Sequence, residues 1–109
     1  MDISKETQES ISKLQLIEQN VQTLLMQKQQ FQGQLFELES ALKELEKTPE
    51  AFKIVGNVMI KAEKDSLKKE LDQKKELIDL RLKSIDKQEK QLRDRGEALQ
   101  KEVMSKIKK

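Results

Sequence analysis

The sequence of 109 residues contains no cysteine, histidine, tryptophan or tyrosine. The lack of cysteine excludes disulfides, cysteine nucleophiles and thiolate metal sites, and the lack of histidine removes the commonest general base and metal ligand. The longest apolar runs are three residues, which predicts neither a membrane span nor a signal peptide. We therefore expect no enzyme activity, no metal or cofactor site and no membrane contact. A chain without cysteine is compatible with the reducing cytoplasm, where we expect it to work.

Charged residues are abundant and make up 39% of the chain, against 35% hydrophobic and 3% aromatic residues. This composition is typical of long helices and coiled coils when the apolar residues are periodic. The 22 basic and 20 acidic residues are interspersed, so no basic stripe indicates a nucleic-acid partner. The one basic concentration, Lys106, Lys108 and Lys109, is interpreted as a solvated terminus.

The N-terminal segment, residues 3–46, has one continuous heptad register. Its seam positions alternate steps of three and four, which predicts a coiled-coil helix. They are Leu14, Ile17, Val21, Leu24, Lys28, Phe31, Leu35, Leu38, Leu42 and Leu45. Asp2 or Ser4 is expected to cap the start of this helix. Thr48-Pro49 is expected to end it, because the residue before a proline disfavours the helical conformation.

Residues 51–61 change to the period of a β-hairpin. Two short β-branched strands flank Gly56-Asn57, and glycine at the first turn position favours a type II′ turn. Pairing Val55 with Val58 gives two mainly apolar faces, as in a strand pair covered on both sides. One face carries Phe52, Ile54, Met59 and Lys61, and the other carries Lys53, Val55, Val58 and Ile60.

The C-terminal segment, residues 65–106, returns to a heptad register with a weaker seam. Its seam positions are Leu71, Lys75, Ile78, Leu82, Ile85, Glu89, Leu92, Gly96, Leu99 and Val103. Glycine costs a helix about 1 kcal/mol, so Gly96 weakens this strand of the coiled coil. Gly33, on the outer face of the first helix, is interpreted as a tolerated surface glycine rather than a hinge.

The hairpin reverses the chain, so the two helices are expected to pack antiparallel, with facing residue numbers that sum to about 113. Leu14 then lies near Leu99, Ile17 near Gly96, Val21 near Leu92 and Lys28 near Ile85. Lys28 and Glu89 fall about one turn apart and have two possible arrangements, an ion pair or separate solvation on flexible stems. The second is favoured. The predicted regions are a helix at 1–47, a linker and hairpin at 48–63 and a helix at 64–109.

An isolated two-stranded hairpin with two open edges and two apolar faces is only marginally stable in water. Two helices cannot cover it, whereas several copies joined edge to edge would close the edges and bury the faces. We therefore expect an oligomer assembled through residues 52–61. The alternative is a monomeric helical hairpin with an exposed apolar turn.

Further apolar residues lie off the seam, mostly near the free ends of the helices. They are Ile11, Leu16, Leu25, Met26, Met104 and Ile107. Two interpretations remain equally open from the residues alone. They form an adaptable surface for a nonpolar partner, or they are the scattered surface hydrophobes that any protein carries.

A single hairpin, Phe52-Lys-Ile-Val-Gly-Asn-Val-Met-Ile-Lys61, between two helices of 40-odd residues resembles the beta class of prefoldin in its archaeal form. The alpha class carries two hairpins, and this chain has room for one. The resemblance implies a mainly α fold, with two long helices in an antiparallel coiled coil and hairpins that assemble into a β-barrel platform. It implies a hexamer of two alpha-class and four beta-class subunits.

Members of this family hold unfolded proteins at the coiled-coil tips without ATP and deliver them to a group II chaperonin. Carried onto this sequence, the platform contacts are Phe52, Ile54, Val55, Val58, Met59 and Ile60. The client-binding residues are Leu14, Leu16, Ile17, Leu99, Val103 and Met104. The alternative is a structural coiled-coil scaffold dimerised through the hairpin. A nucleic-acid-binding arm is a third candidate, which the interspersed charge disfavours.

Overall fold

The computed structural model describes residues 4–107, which form helix α1 (Lys5–Lys47), strand β1 (Ala51–Val55), strand β2 (Val58–Ala62) and helix α2 (Lys64–Ile107). This is the predicted order of elements. The candidate cap Asp2 and the terminal Lys108 and Lys109 lie outside the described residues. Neither helix in the described range is both long and apolar enough to cross a bilayer.

The contacts divide the chain into two compact units. The free-end unit is drawn from Met1–Gln29 and Lys83–Lys109, and the hairpin unit is Gln30–Leu82. Each unit contains a stretch of both helices, and each is described here by itself.

Helix α1 begins at a polar cap and ends at the predicted proline. The hydroxyl of Ser4 accepts a hydrogen bond from the backbone N–H of Thr7 at 3.1 Å and lies 2.8 Å from the Thr7 hydroxyl. Ser4 is therefore the N-cap, which satisfies one of the free N–H groups of the first turn. At the other end the helix stops at Lys47, where the Thr48 hydroxyl donates to the carbonyl of Leu45 at 3.5 Å.

The free-end unit has the predicted antiparallel seam. Its buried apolar residues are Ile17, Val21, Leu24, Ile85 and Val103. A Cβ added to Gly96 would lie 3.4 Å from Cγ2 of Ile17, the residue expected to face it, and 3.9 Å from Cδ2 of Leu14. Thr7 is 3% exposed, less than any apolar core residue. The seam therefore starts one heptad before Leu14, at a polar residue that the apolar pattern does not include.

In the hairpin unit every predicted seam position is buried or half-buried. Leu45 and Ile78 are buried, and the half-buried positions are Phe31, Leu35, Leu38, Leu42, Leu71, Lys75 and Leu82. Lys75 Nζ lies 3.8 Å from Oε1 of Glu39, and the Arg81 guanidinium lies 5.6 Å from the ring centre of Phe31. Both pairs join the two helices at facing numbers close to the expected sum, so the antiparallel register holds here too.

The hairpin has the predicted register. β1 pairs with β2 antiparallel, with Val55 opposite Val58 at the turn and Ala51 opposite Ala62 at the base. Gly56 has φ of 62°, and no other described residue has a positive φ. A positive φ at the first central residue alone is the pattern of a type II′ turn, as the Gly56-Asn57 order predicts.

Candidate functional site

The hairpin carries a continuous exposed apolar surface. All six residues predicted as platform contacts are exposed, with fractions between 46% for Ile60 and 69% for Ile54. Cross-strand partners share a face, so the register places Ile54 with Met59 on one face and Val55 with Val58 on the other. Both faces of the sheet therefore present large apolar side chains. An apolar surface of this kind on a folded chain marks an interaction site.

The edges of the hairpin are open as well. The described part of the chain has one sheet of two strands, so each strand has one neighbour and one outer edge. Backbone N–H and C=O groups along an outer edge are free to pair with another strand. Near the base, Lys61 Nζ lies 3.8 Å from Oε1 of Glu50, and both side chains are largely exposed. The hairpin can thus bind a further strand through its backbone and an apolar surface through its side chains.

One pair of charged side chains connects the hairpin to a helix. The ammonium of Lys53 on β1 donates to both carboxylate oxygens of Glu70 on α2, at 3.2 and 3.1 Å. This hydrogen bond is the main reason that the pKa of Glu70 lies below its ordinary value, and partial burial opposes it. We call this contact the Lys53–Glu70 clasp. Sequence reasoning missed it, because residues 17 apart on a strand and a helix follow no single periodicity.

The six residues predicted to bind clients fall into three groups in the free-end unit. Leu16 and Met104 are exposed, at 57% and 49%. Leu14 and Leu99 are half-buried along the seam, while Ile17 and Val103 are buried in it, at 8% and 7%. Of the other off-seam residues, Met26 and Ile107 are exposed, and Ile11 and Leu25 are half-buried. The freely accessible residues are thus those off the seam.

A groove beside Gly96 makes part of the seam accessible. The groove has a volume of about 880 Å³, and the apolar residues that line it are Leu14, Ile17 and Val21. Its rim is charged, with Glu18 on one helix and Arg93 and Glu97 on the other. Met104 lines an adjoining depression that shares Glu97 and Gln100 with this groove. Leu14 is half-buried, whereas Ile17 and Val21 are each 8% exposed, so the apolar floor of the groove is accessible mainly at Leu14.

Neither predicted arrangement of Lys28 and Glu89, an ion pair or separate solvation, is present, because each side chain has another partner. Lys28 Nζ lies 2.8 Å from Oδ1 of Asp86, and this hydrogen bond, with the charge of Asp86, raises the pKa of Lys28. Glu89 instead accepts a hydrogen bond from Arg93 Nε at 3.1 Å on its own helix. Asp86 adjoins the seam residue Ile85, so it reaches Lys28 from the flank of the seam. Arg93, four residues beyond Glu89, offers that carboxylate a local partner.

The hairpin unit also exposes apolar residues that the sequence analysis did not single out. Phe36, Leu77 and Leu80 on the helices are 71%, 54% and 64% exposed. Leu77 lines a second groove, with Phe31, Leu38, Ala41 and Ile78 as the other apolar residues of the lining. Phe36, Leu77 and Leu80 lie off the seam and form no motif, so the sequence gives no signal to separate them from scattered surface hydrophobes.

Within residues 4–107, acidic side chains do not gather in groups of three or more that could hold a metal ion. The surfaces combine apolar side chains, open strand edges and exposed ion pairs. What this arrangement can do is bind other polypeptides.

Comparison with known proteins agrees across sequence and structure. The family model described as "Prefoldin subunit" matches residues 8–109. The chain is similar to the prefoldin beta subunit of Sulfurisphaera tokodaii, with 38% identity over 104 residues, which is 93% of this chain and 83% of that protein. It is also similar to that of Methanospirillum hungatei, with 35% identity over 97% of this chain and 91% of that protein.

A solved structure has the same fold. The crystal structure of the prefoldin beta subunit from Thermococcus strain KS-1 superposes with a TM-score of 0.88 at 32% sequence identity. The match covers 95% of this chain and 94% of that one. Since the coverage includes both helices and the hairpin, the whole architecture is shared.

Proposed function

Because this chain belongs to the prefoldin beta-subunit family, whose members are subunits of an oligomeric chaperone, we propose that it is the beta-class subunit of a hexamer with an alpha-class partner. In this assembly two alpha-class and four beta-class subunits join through their hairpins into a β-barrel platform. The carrying observation is the hairpin itself, in which all six predicted platform residues are exposed and both strand edges are open. Closing edges by strand addition removes free backbone groups and buries both faces.

The subunit works as an ATP-independent holdase in the cytoplasm. Non-native proteins expose apolar segments that would otherwise aggregate. Each free-end unit offers Leu16, Met104 and the groove floored by Leu14 and Ile17, a set of small apolar sites suited to adaptable contact. Several such ends in one assembly raise the effective concentration, so avidity exceeds the affinity of a single site.

The held client is then transferred to a group II chaperonin. Weak contacts at each helix end favour this step, because a client bound through many weak sites can be released one site at a time. The reaction needs no nucleotide hydrolysis and no covalent step in this chain.

A structural scaffold is the second candidate, in which the hairpin dimerises two chains and no client binds. The exposed hairpin supports it as well as the chaperone, since any pairing of strands would use the same edges. Accessible apolar residues in the free-end unit favour the chaperone, because a scaffold has no use for the exposed Leu16 and Met104.

The first experiment measures the absolute mass of the chain copurified with its partners, by light scattering. The expected particle holds six chains, roughly 80 kDa if all had the 12.7 kDa of this one, and contains a second type of subunit. A mass of one or two chains without a second subunit would favour the scaffold. Aggregation of an unfolded test protein, measured by turbidity with and without the particle, then tests client binding.

A double variant tests the role of the hairpin. Ile54→Asp with Ile60→Asp places one charge on each face of the sheet and is expected to abolish assembly while circular dichroism still reports both helices. The matched control is Phe36→Asp with Leu80→Asp, which changes two apolar residues outside the hairpin that are at least as exposed. Assembly that survives the hairpin variant, or fails equally in the control, would contradict the proposal.

A further inference from the structure

The attachment of the hairpin to the rest of the hairpin unit is sparse. At its base Ala51 is buried, while Lys53 and Ala62 are half-buried and the other strand residues are exposed. The hydrogen bonds that join a strand side chain to a helix within residues 4–107 are the two from Lys53 to Glu70. Chain continuity and the buried Ala51 hold the base of the hairpin, and the Lys53–Glu70 clasp is the side-chain hydrogen bond that ties the middle of β1 to α2.

The geometry of the clasp suits this task. Lys53 lies at the middle of β1, opposite Ile60, and Glu70 lies nearly two turns into α2. The ammonium contacts both carboxylate oxygens, and charge-assisted hydrogen bonds of this kind depend on direction as well as distance. Lys74, one turn further along α2, also lies 3.8 Å from the same carboxylate and helps to hold it in place. Tilting the hairpin about its base would pull Lys53 away from Glu70.

We propose that Glu70 is a positioning residue for assembly, which holds the hairpin through Lys53 at the tilt at which its edges meet those of neighbouring subunits. This inference rests on the proposed assembly through the hairpin. A closed ring of strands forms only when each hairpin presents its edges at a matching angle. A hairpin that samples other angles is competent for a smaller fraction of the time, and the apparent affinity falls by that fraction.

The mechanism predicts a kinetic signature. A residue that sets the competent fraction changes the association rate, whereas a residue in the final interface changes mostly the dissociation rate. The pair is partly exposed, with side-chain exposures of 40% and 36%, so salt screens it. The effect of losing the clasp is therefore expected to shrink as the ionic strength rises.

The experiment compares four variants of the full chain in assembly with its partner subunits. Glu70→Gln and Lys53→Met break the clasp, Lys53→Arg keeps it, and Glu39→Gln breaks the Glu39–Lys75 ion pair in the same unit without touching the hairpin. Stopped-flow mixing is expected to show association slowed roughly two- to fivefold for the first two variants at low salt. Dissociation should be unchanged, and Lys53→Arg and Glu39→Gln should resemble the wild type.

A second measurement does not depend on assembly. Hydrogen exchange of the β1 and β2 amides is measured in the separate chain, made assembly-deficient by Ile54→Asp with Ile60→Asn, which places no carboxylate opposite Lys53. It should be faster with Glu70→Gln than without it, while exchange in α2 stays the same. Unchanged hairpin exchange would overturn the restraint.

Each remaining outcome also decides the matter. Unchanged association with Glu70→Gln, an equal loss with Glu39→Gln, or faster dissociation would overturn the positioning role, while assembly of the wild type leaves the proposed function standing. Failure of the wild type to assemble would overturn both the positioning role and the proposed function. So would assembly of the Ile54→Asp, Ile60→Asp variant.

Discussion

The helical seam and the hairpin contain similar apolar residues but bury them to different extents. In the seam, Ile17 and Ile85 are 8% and 6% exposed, because each helix covers the apolar stripe of the other. In the hairpin, Ile54 and Met59 are 69% and 65% exposed, although the two strands are fully paired with each other. Two helices are enough to bury one stripe each, whereas two strands cannot bury either face of the sheet they form. The apolar residues of the seam are thus buried within one chain, whereas both apolar faces of the hairpin stay exposed.

The largest effect expected from this difference is on stability. Ile85→Ala should lower the free energy of unfolding by at least about 2 kcal/mol, because it opens a cavity in the seam. Met59→Ala should change it by less than about 0.5 kcal/mol, since its side chain is exposed. Urea unfolding followed by circular dichroism measures both, in the assembly-deficient Ile54→Asp, Ile60→Asp background. Equal losses would mean that the hairpin is packed within a single chain.

A second prediction separates accessible from buried residues in the free-end unit. Leu16→Ser with Met104→Ser should weaken client binding by roughly five- to tenfold, because two exposed apolar contacts are lost, with little change in unfolding. Replacing Leu14, Ile17, Leu99 and Val103 with serine should lower both client binding and stability, since two of the four are buried. Suppression of turbidity and urea unfolding report the two effects. If the Leu16→Ser, Met104→Ser variant still protected the test protein fully against aggregation, the client surface would lie elsewhere.

The three glycines sharpen the comparison further. Gly33→Ala and Gly96→Ala should each stabilise the chain by up to about 1 kcal/mol through helix propensity, because the first Cβ meets open space and the second meets Ile17 at 3.4 Å, an ordinary contact. Gly56→Ala should destabilise the hairpin, because its φ of 62° is unfavourable for alanine. Thermal unfolding and hydrogen exchange measure these changes. Of these two variants only Gly96→Ala adds a methyl group to the lining of the groove, so a fall in client binding with that variant and not with Gly33→Ala would assign the groove to clients.

The smallest effect expected is on the pH dependence of the clasp. The carboxylate of Glu70 faces Lys53 on β1 and Lys74 on its own helix, and they lower its pKa. The clasp therefore contributes fully above the ordinary glutamate pKa and is lost as the pH falls through the lowered value. Hairpin exchange in the wild type and in Glu70→Gln should differ at neutral pH and converge in acid. A difference that persists at low pH would show that the charge of Glu70 is not what restrains the hairpin.

Much of the fold follows from spacing along the chain. The seam from Leu14 to Leu45, the break at Thr48-Pro49 and the Val55–Val58 pairing depend on local periodicity and turn chemistry, and the structure agrees with each. Thr7 was missed because a polar residue interrupts the apolar pattern, although its hydroxyl is satisfied by the Ser4 cap. Asp86 was missed as the partner of Lys28 because several charges lie within reach, and side-chain geometry selects among them.

The candidate surfaces were predicted less completely. The client-binding prediction grouped Leu16 and Met104 with Ile17 and Val103. Whether such an apolar residue is buried or exposed depends on its angle from the seam and on what faces it. The exposed Phe36 and the groove beside Leu77 have no motif at all. Accessibility is a property of two packed helices, so the residues of one helix taken alone do not specify it.

The sequence by itself determined two heptad helices, one hairpin with its register and turn, and the family to which they belong, because these depend on steps of two, three and four residues and on single turn residues. The tertiary structure decided which apolar residues remain accessible, that Lys28 meets Asp86, and that Lys53 clasps Glu70. Those contacts join side chains that are distant in sequence. In the folded chain these partners lie 2.8 to 3.2 Å apart, and no periodicity in the sequence predicts which partner each side chain contacts.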